Sequence, residues 1–195
     1  MGPTERTVVK RLKPGRSFSS FQIQAGDPWL EGLPHALFGE VARNQGDYQE
    51  AQTQCATCLA LMQQAGDERD VAFMLHDLGQ VAQRQGDYDQ ARVLHVEALE
   101  IHQKSRSSRA VAFGLEMLAV VAGASGKPIK AARLLGAAEA LRQSGGCPVE
   151  GTELQFDIVM ISRVRATLGQ QSFATAWAEG YAMTLEQAVV SALNE

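Results

Sequence analysis

The sequence predicts an all-α fold in which antiparallel helix pairs stack into a solenoid, and three observations predict it. A block recurs at a fixed interval: "GEVARNQGDYQEA" at 39–51 returns as "GQVAQRQGDYDQA" at 79–91. A further shift of the same size reaches "AVVAGASGKPIKA" at 119–131, and "VAFMLHDL" at 71–78 returns as "VAFGLEML" at 111–118. Repetition of this kind marks a repeat array. Within the copies, apolar residues fall at helical spacing: Leu75, Leu78, Val81 and Ala82, then Leu115, Leu118, Val121 and Ala122. Aromatic residues make up only 6% of the chain while alanine and leucine abound, which suits helices packed through small side chains better than a β-sandwich.

Residues 1–31 carry Arg6, Lys10, Arg11, Lys13 and Arg16 among scattered proline, glycine and serine, and read as a flexible N-terminal arm. The repeat domain is expected over 32–195, with repeats of about 32–70, 71–110 and 111–150. In each repeat the first helix ends at Gly46, Gly86 or Gly126, where a residue must turn through φ > 0. Asp47 and Asp87 can cap the next helix and Pro128 fits its first turn, so the second helices run over roughly 48–65, 88–104 and 128–144. "SGGCPVEG" at 144–151 is a loop. A degenerate fourth unit and its cap occupy 152–195. There "TELQFDIVMISRVRATLG" at 152–169 sets Leu154, Ile158, Ile161, Val164 and Leu168 on one face, and "QSFATAWAEGYA" pairs with it. "TLEQAVVSALNE" closes the array with a capping box at Thr184 and Gln187, supplying the helix that covers a solenoid's last apolar face.

Composition narrows the function. A net charge of -4 gives no electrostatic reason to expect direct contact with nucleic acid or an anionic membrane. No run has the length of a membrane span, and "MGPTERTVVKRLKPGRSF" lacks the apolar stretch of a secretory signal. Pro3 makes Gly2 a poor myristoylation start. Three cysteines are an odd number for a disulfide framework, so a reduced, cytoplasmic protein is expected.

The repeat resembles the tetratricopeptide repeat. Leu78 and Gly79 in the first helix, Gly86 and Tyr88 at the turn, and Ala91 and Ala98 in the second helix carry the likeness. Leu75 and Leu115 stand where that family has tryptophan, and the longer period implies helices extended by about a turn and a half. The resemblance implies a right-handed superhelix whose first helices line a binding groove. In that register the groove collects Glu40, Arg43, Asn44, Phe73, His76, Gln80, Gln83, Arg84, Phe113, Glu116 and Val120. Mixed polarity around two phenylalanines suits a protein or peptide partner. The lysine and asparagine that clamp a peptide carboxylate in chaperone-tail-binding members correspond to Ala36 and Glu40, so that mode is not expected.

Motifs that suggest chemistry give way to the repeat. Cys55 and Cys58 have CxxC spacing, yet Cys58 falls in register with Ala98 and Ala138, and Cys55 with His95 and Leu135. They read as small packing residues, with no second ligand pair to complete a zinc site. "GASGK" at 123–127 is too short for a phosphate loop and is the turn of the third repeat. His95 and His102 lie seven apart on one helix face with no carboxylate pattern to complete a site, and His35 and His76 read likewise as structural or surface histidines. No nucleophile elbow, HExxH or carboxylate pair points to an enzyme, and no cofactor or metal is expected.

"KAARLLGAAEALRQSGG" at 130–146 and "FATAWAEGYAMTLEQAVVSAL" at 173–193 resemble the C-terminal helical region of bacterial signalling ATPases and LuxR-type transcriptional regulators. What that implies is a non-enzymatic scaffold or sensor module in signalling or transcriptional control, without the phosphate loop or the DNA-binding helices of those proteins. A module that closes on a small-molecule inducer is the alternative. The uncapped first helix pair makes self-association an expectation.

Overall fold

The computed structural model describes residues 26–105, 107–146 and 161–194. Its helices are α1 (Pro28–Gln45), α2 (Tyr48–Ala65), α3 (Glu68–Gln85), α4 (Tyr88–Ser105), α5 (Ser108–Ala124) and α6 (Pro128–Ser144). Residues 161–168 form α7, followed by α8 (Gln170–Tyr181) and α9 (Leu185–Leu193). Among the described residues there is no strand. Consecutive helices pair antiparallel, α1 with α2, α3 with α4 and α5 with α6, and the pairs stack through α2 on α3 and α4 on α5.

The joints explain the regularity. The first six helices begin at 28, 48, 68, 88, 108 and 128. The dipeptide Gly-Asp stands before the first four of them, at 26–27, 46–47, 66–67 and 86–87. Gly46 takes φ 84, and its N–H and that of Asp47 reach back to the carbonyls of Arg43 and Ala42. These are the carbonyls a finished helix leaves without partners. The aspartate then starts the next helix: Asp47 Oδ1 accepts from Glu50 N at 3.1 Å, and Asp87 Oδ1 from Gln90 N at 3.0 Å. One residue closes a helix and its neighbour opens another.

The start of α1 corrects the arm expected at 1–31. Asp27 accepts from Trp29 N at 3.0 Å and Pro28 takes the first turn, so residues 28–31 are already helical. Residues 1–25 lie outside the described residues. So do the loop at 147–151 with Cys147, and residues 152–160 of the helix expected over 152–169.

One core cluster runs from Leu99 through Leu115, Leu118 and Leu134 to Phe173 and Val189, and a second holds Cys58, Met62, Ala72 and Leu75. The last repeat is covered by α8, which packs on α6. A Cβ on Gly180 would overlap the backbone carbonyl of Arg133, so a glycine is what lets these two helices approach. The expected capping helix does something different. With its capping box at Thr184 and Gln187, α9 lies against α4, α5 and α6 instead of beyond the end of the stack. Its buried face is Ala188, Val189 and Ala192, and Arg92 donates to the Leu193 carbonyl at 2.9 Å while Lys130 donates to those of Ala192 and Asn194. Cations at a helix C-terminus satisfy the carbonyls left over there.

Candidate functional site

The first helices of the three repeats lie side by side. Arg43 of α1 donates to Asp77 of α3 at 2.8 Å. Burial pushes the Asp77 carboxyl above its ordinary range, and the Arg43 guanidinium opposes that. Between α3 and α5, the Phe73 and Phe113 rings sit 6.2 Å apart and Gln83 donates to the Met117 carbonyl at 3.5 Å. Glu40, Asn44 and Arg84 are exposed, while Gln80, Gln83, Phe73, Phe113 and Val120 are half-buried.

His76 and Glu116, expected to face a partner, are instead buried, at 1% and 4% exposure. The repeat explains both. They occupy the same register as Ala36, and each meets a second-helix position that is Met62, His102 or Arg142 in turn. In the first repeat Ala36 packs on the cluster that holds Met62. In the second the His76 and His102 rings stack at 5.3 Å. In the third Arg142 donates twice to Glu116, each bond 2.6 Å long. One contact between helices is thus apolar, aromatic and ionic in successive repeats. A polar residue at this position finds its partner inside the hairpin.

His95 joins this interior. Gln83 Nε2 donates to His95 Nε2 at 3.1 Å, which leaves the His95 proton on Nδ1, and that N–H donates to His76 Nδ1 at 2.9 Å. The His76 proton then lies on Nε2, which has no hydrogen-bond partner among the described residues, and His102 Nε2 is in the same position. Burial lowers all three imidazoles, His95 to about 3 and His102 to about 4, with Arg69 adding to the shift at His102. All three are neutral at pH 7.

Where the second and third repeats meet, a cleft of about 620 Å³ opens. Phe73, Ile101, His102 and Phe113 form its apolar wall. Its mouth carries Glu68 and Arg69 from the start of α3, and Ser107, Arg109 and Ala110 from the start of α5. Arg69 lies over the Phe73 ring, 5.7 Å from its centre. Of the groove residues read from sequence, Phe73 and Phe113 belong to this cleft. Arg69 and Arg109 were missed, although the signal was present: Arg-x-Val-Ala-Phe occurs at 69–73 and again at 109–113.

Cys55 and Cys58, the pair with CxxC spacing, lie in the core. Cys55 and Cys58 are free thiols at 2% and 1% exposure. Burial pushes them up to about 12 and about 11, so neither is a thiolate at neutral pH. Cys55 Sγ fills the space beside Gly39, as the His95 ring does beside Gly79. Among the described residues no helix is long and apolar enough to cross a membrane.

The tetratricopeptide repeat pattern matches residues 33–104 and, overlapping them, 70–144. No curated protein matches the chain. With helix pairs stacked at one interval, small residues at the contacts and a family pattern spanning three repeats, the chain belongs to the tetratricopeptide repeat family.

Proposed function

We propose that this protein is a non-enzymatic scaffold that binds a protein segment along the row formed by α1, α3 and α5. Repeats of this family generally mediate protein–protein interaction. The observation that carries the reading for this chain is the tied row of first helices. Arg43–Asp77 and Phe73–Phe113 hold it rigid, while Glu40, Asn44 and Arg84 stay exposed along it. A pre-organised surface binds with less ordering cost than a mobile one. Affinity capture from the native host, comparing wild type with a Glu40→Lys, Arg84→Glu double variant, tests this. Both side chains are exposed, so the fold should hold. We expect a partner recovered by wild type and reduced at least tenfold by the variant; identical recovery by both defeats the reading. The likeness of 130–146 and 173–193 to regulatory ATPases and LuxR-type proteins supports a partner in bacterial signalling or transcriptional control, in the cytoplasm.

A second surface fits self-association. Leu33, Leu37, Phe38 and Val41 on α1 are 40%, 64%, 61% and 51% exposed. The residues in register with Val41 are Val81 and Val121, at 1% and 4%, because a preceding hairpin covers them. On α1 the same apolar stripe lacks that cover among the described residues, and a second copy would bury it. Light scattering over a concentration series should show mass rising towards a dimer, and a Leu37→Glu, Phe38→Lys variant should stay monomeric. A wild type that remains monomeric at millimolar concentration rules this out.

A further inference from the structure

We infer that the apolar stripe on α1 closes an antiparallel, two-fold dimer, and that this dimer joins two rows of first helices into one surface. The inference rests on the self-association reading above and adds its geometry and its consequence. The stripe is the side of a first helix that the stack itself covers. Leu37 and Phe38 share their register with Asp77 and Leu78 of α3 and with Met117 and Leu118 of α5. Asp77 meets Arg43 of the preceding first helix, and Met117 and Leu118 are buried. In that same register Leu37 and Phe38 are exposed. The stripe continues an interface the fold already uses twice, and it lacks the other half among the described residues.

The far end of the stack does not supply that half. There α8 closes α6, with Gly180 seated against the Arg133 carbonyl. Gln170, Gln171, Ser172, Thr175 and Glu179 of α8 face outward, and the exposed Tyr181 is tied to Gln143 by its hydroxyl. Head-to-tail stacking would set leucine, phenylalanine and valine against amides and a carboxylate that water solvates better. A stripe without a complement at the other end of the chain is matched by its own copy. A self-complementary patch generates a closed two-fold pair.

Register and charge fix the direction. Leu33, Leu37 and Val41 follow one another at intervals of four along one face, so Leu37 is the centre of the stripe. Two such faces cover each other fully in one antiparallel register, with Leu37 on Leu37 of the other copy and Leu33 on Val41. Glu40 is exposed beside the stripe. Parallel helices would bring the two Glu40 carboxylates level, whereas the antiparallel register parts them by about 9 Å along the axis. The rotation axis of an antiparallel pair is normal to the plane of both helices, so whatever faces up on one copy faces up on the other. The row of α5, α3 and α1 therefore continues into α1, α3 and α5 of the second copy. Such a surface fits a partner that presents two segments, because the second contact becomes intramolecular once the first is made.

Cysteine cross-linking of the full chain tests this, on a Cys147→Ser background with Cys55 and Cys58 buried. Under mild oxidation Leu37→Cys should link to its own copy in most of the protein. Leu33→Cys and Val41→Cys, each about 12 Å along the axis from its own copy, should stay unlinked alone and link when the two are mixed. All three side chains are exposed, so melting temperatures should hold. Self-links of Leu33→Cys and Val41→Cys, or a dimer by light scattering in which Leu37→Cys does not link, would overturn this geometry and leave self-association standing. A protein monomeric at millimolar concentration would overturn both. In that monomer, a Leu37→Cys thiol shielded from iodoacetamide would assign the stripe to residues 1–25.

Discussion

Acidification from pH 7 to pH 5 is expected to unfold this protein cooperatively. His76, His95 and His102 are held neutral in the fold, with values below the ordinary 6.5. In the unfolded chain each takes up a proton near pH 6.5, so below that pH the unfolded state binds more protons and gains stability. The contribution of each histidine is intact above pH 7 and falls by up to about 1.4 kcal/mol per pH unit as pH drops. The loss continues until the folded-state value is reached, about 4 for His102 and about 3 for His95. All three groups act in the same direction, so the loss at pH 5 is a sizeable share of the stability of an ordinary domain. Asp77 acts in the opposite sense, because its raised value means the folded state takes a proton first; one carboxyl offsets only part of the effect. Urea denaturation at pH 7.5, 6 and 5 measures this directly. His102→Leu should reduce the pH dependence by about one proton, and a midpoint that stays level between pH 7 and pH 5 would refute the account.

Glu116→Gln is expected to destabilise the fold by about 3–5 kcal/mol, a drop of roughly 10 °C in melting temperature. Glu116 and Arg142 have side chains 5% and 3% exposed and share two hydrogen bonds of 2.6 Å. Removing the carboxylate charge takes away the two charge-assisted hydrogen bonds that Glu116 gives the buried guanidinium, so less of that cation's desolvation is offset. Replacing both, as Glu116→Leu with Arg142→Met, should restore most of the loss, since well-packed apolar residues can substitute for a buried pair. Thermal unfolding of the three proteins decides it: a single variant as stable as wild type would show that the pair is immaterial. The distance between this outcome and that for an exposed residue such as Glu40 is the practical measure of where the groove ends.

The architecture was legible because repetition averages out local ambiguity. Gly46, Gly86 and Gly126 and the caps at Asp47 and Asp87 occur where expected. The finer rhythm was also present, in the Gly-Asp pairs at 26–27 and 66–67, but it runs at half the repeat interval, and comparison of whole repeats alone does not relate those pairs to the ones at 46–47 and 86–87. That is why the start of α1 was placed late. The site was harder to read. A polar residue on a first helix can face solvent or a polar residue of its own hairpin, and helical spacing does not separate the two. Gln80 and Gln83 are half-buried, while His76 and Glu116 met His102 and Arg142 inside. The cleft combines Arg69 with Ile101, His102 and Arg109 across the junction between repeats, and only the stacking of hairpins brings those residues together.

The succession Ala36 with Met62, His76 with His102, and Glu116 with Arg142 has a consequence for how the chain assembles. Helices this alike invite a wrong marriage, such as α3 against α6, since their alanines and leucines would mesh nearly as well. Such a mismatch would seat His76 beside Arg142 and part Glu116 from the guanidinium it meets in the fold, a cost of several kcal/mol. Each storey carries its own key, and a misthreaded chain dissolves before it sets.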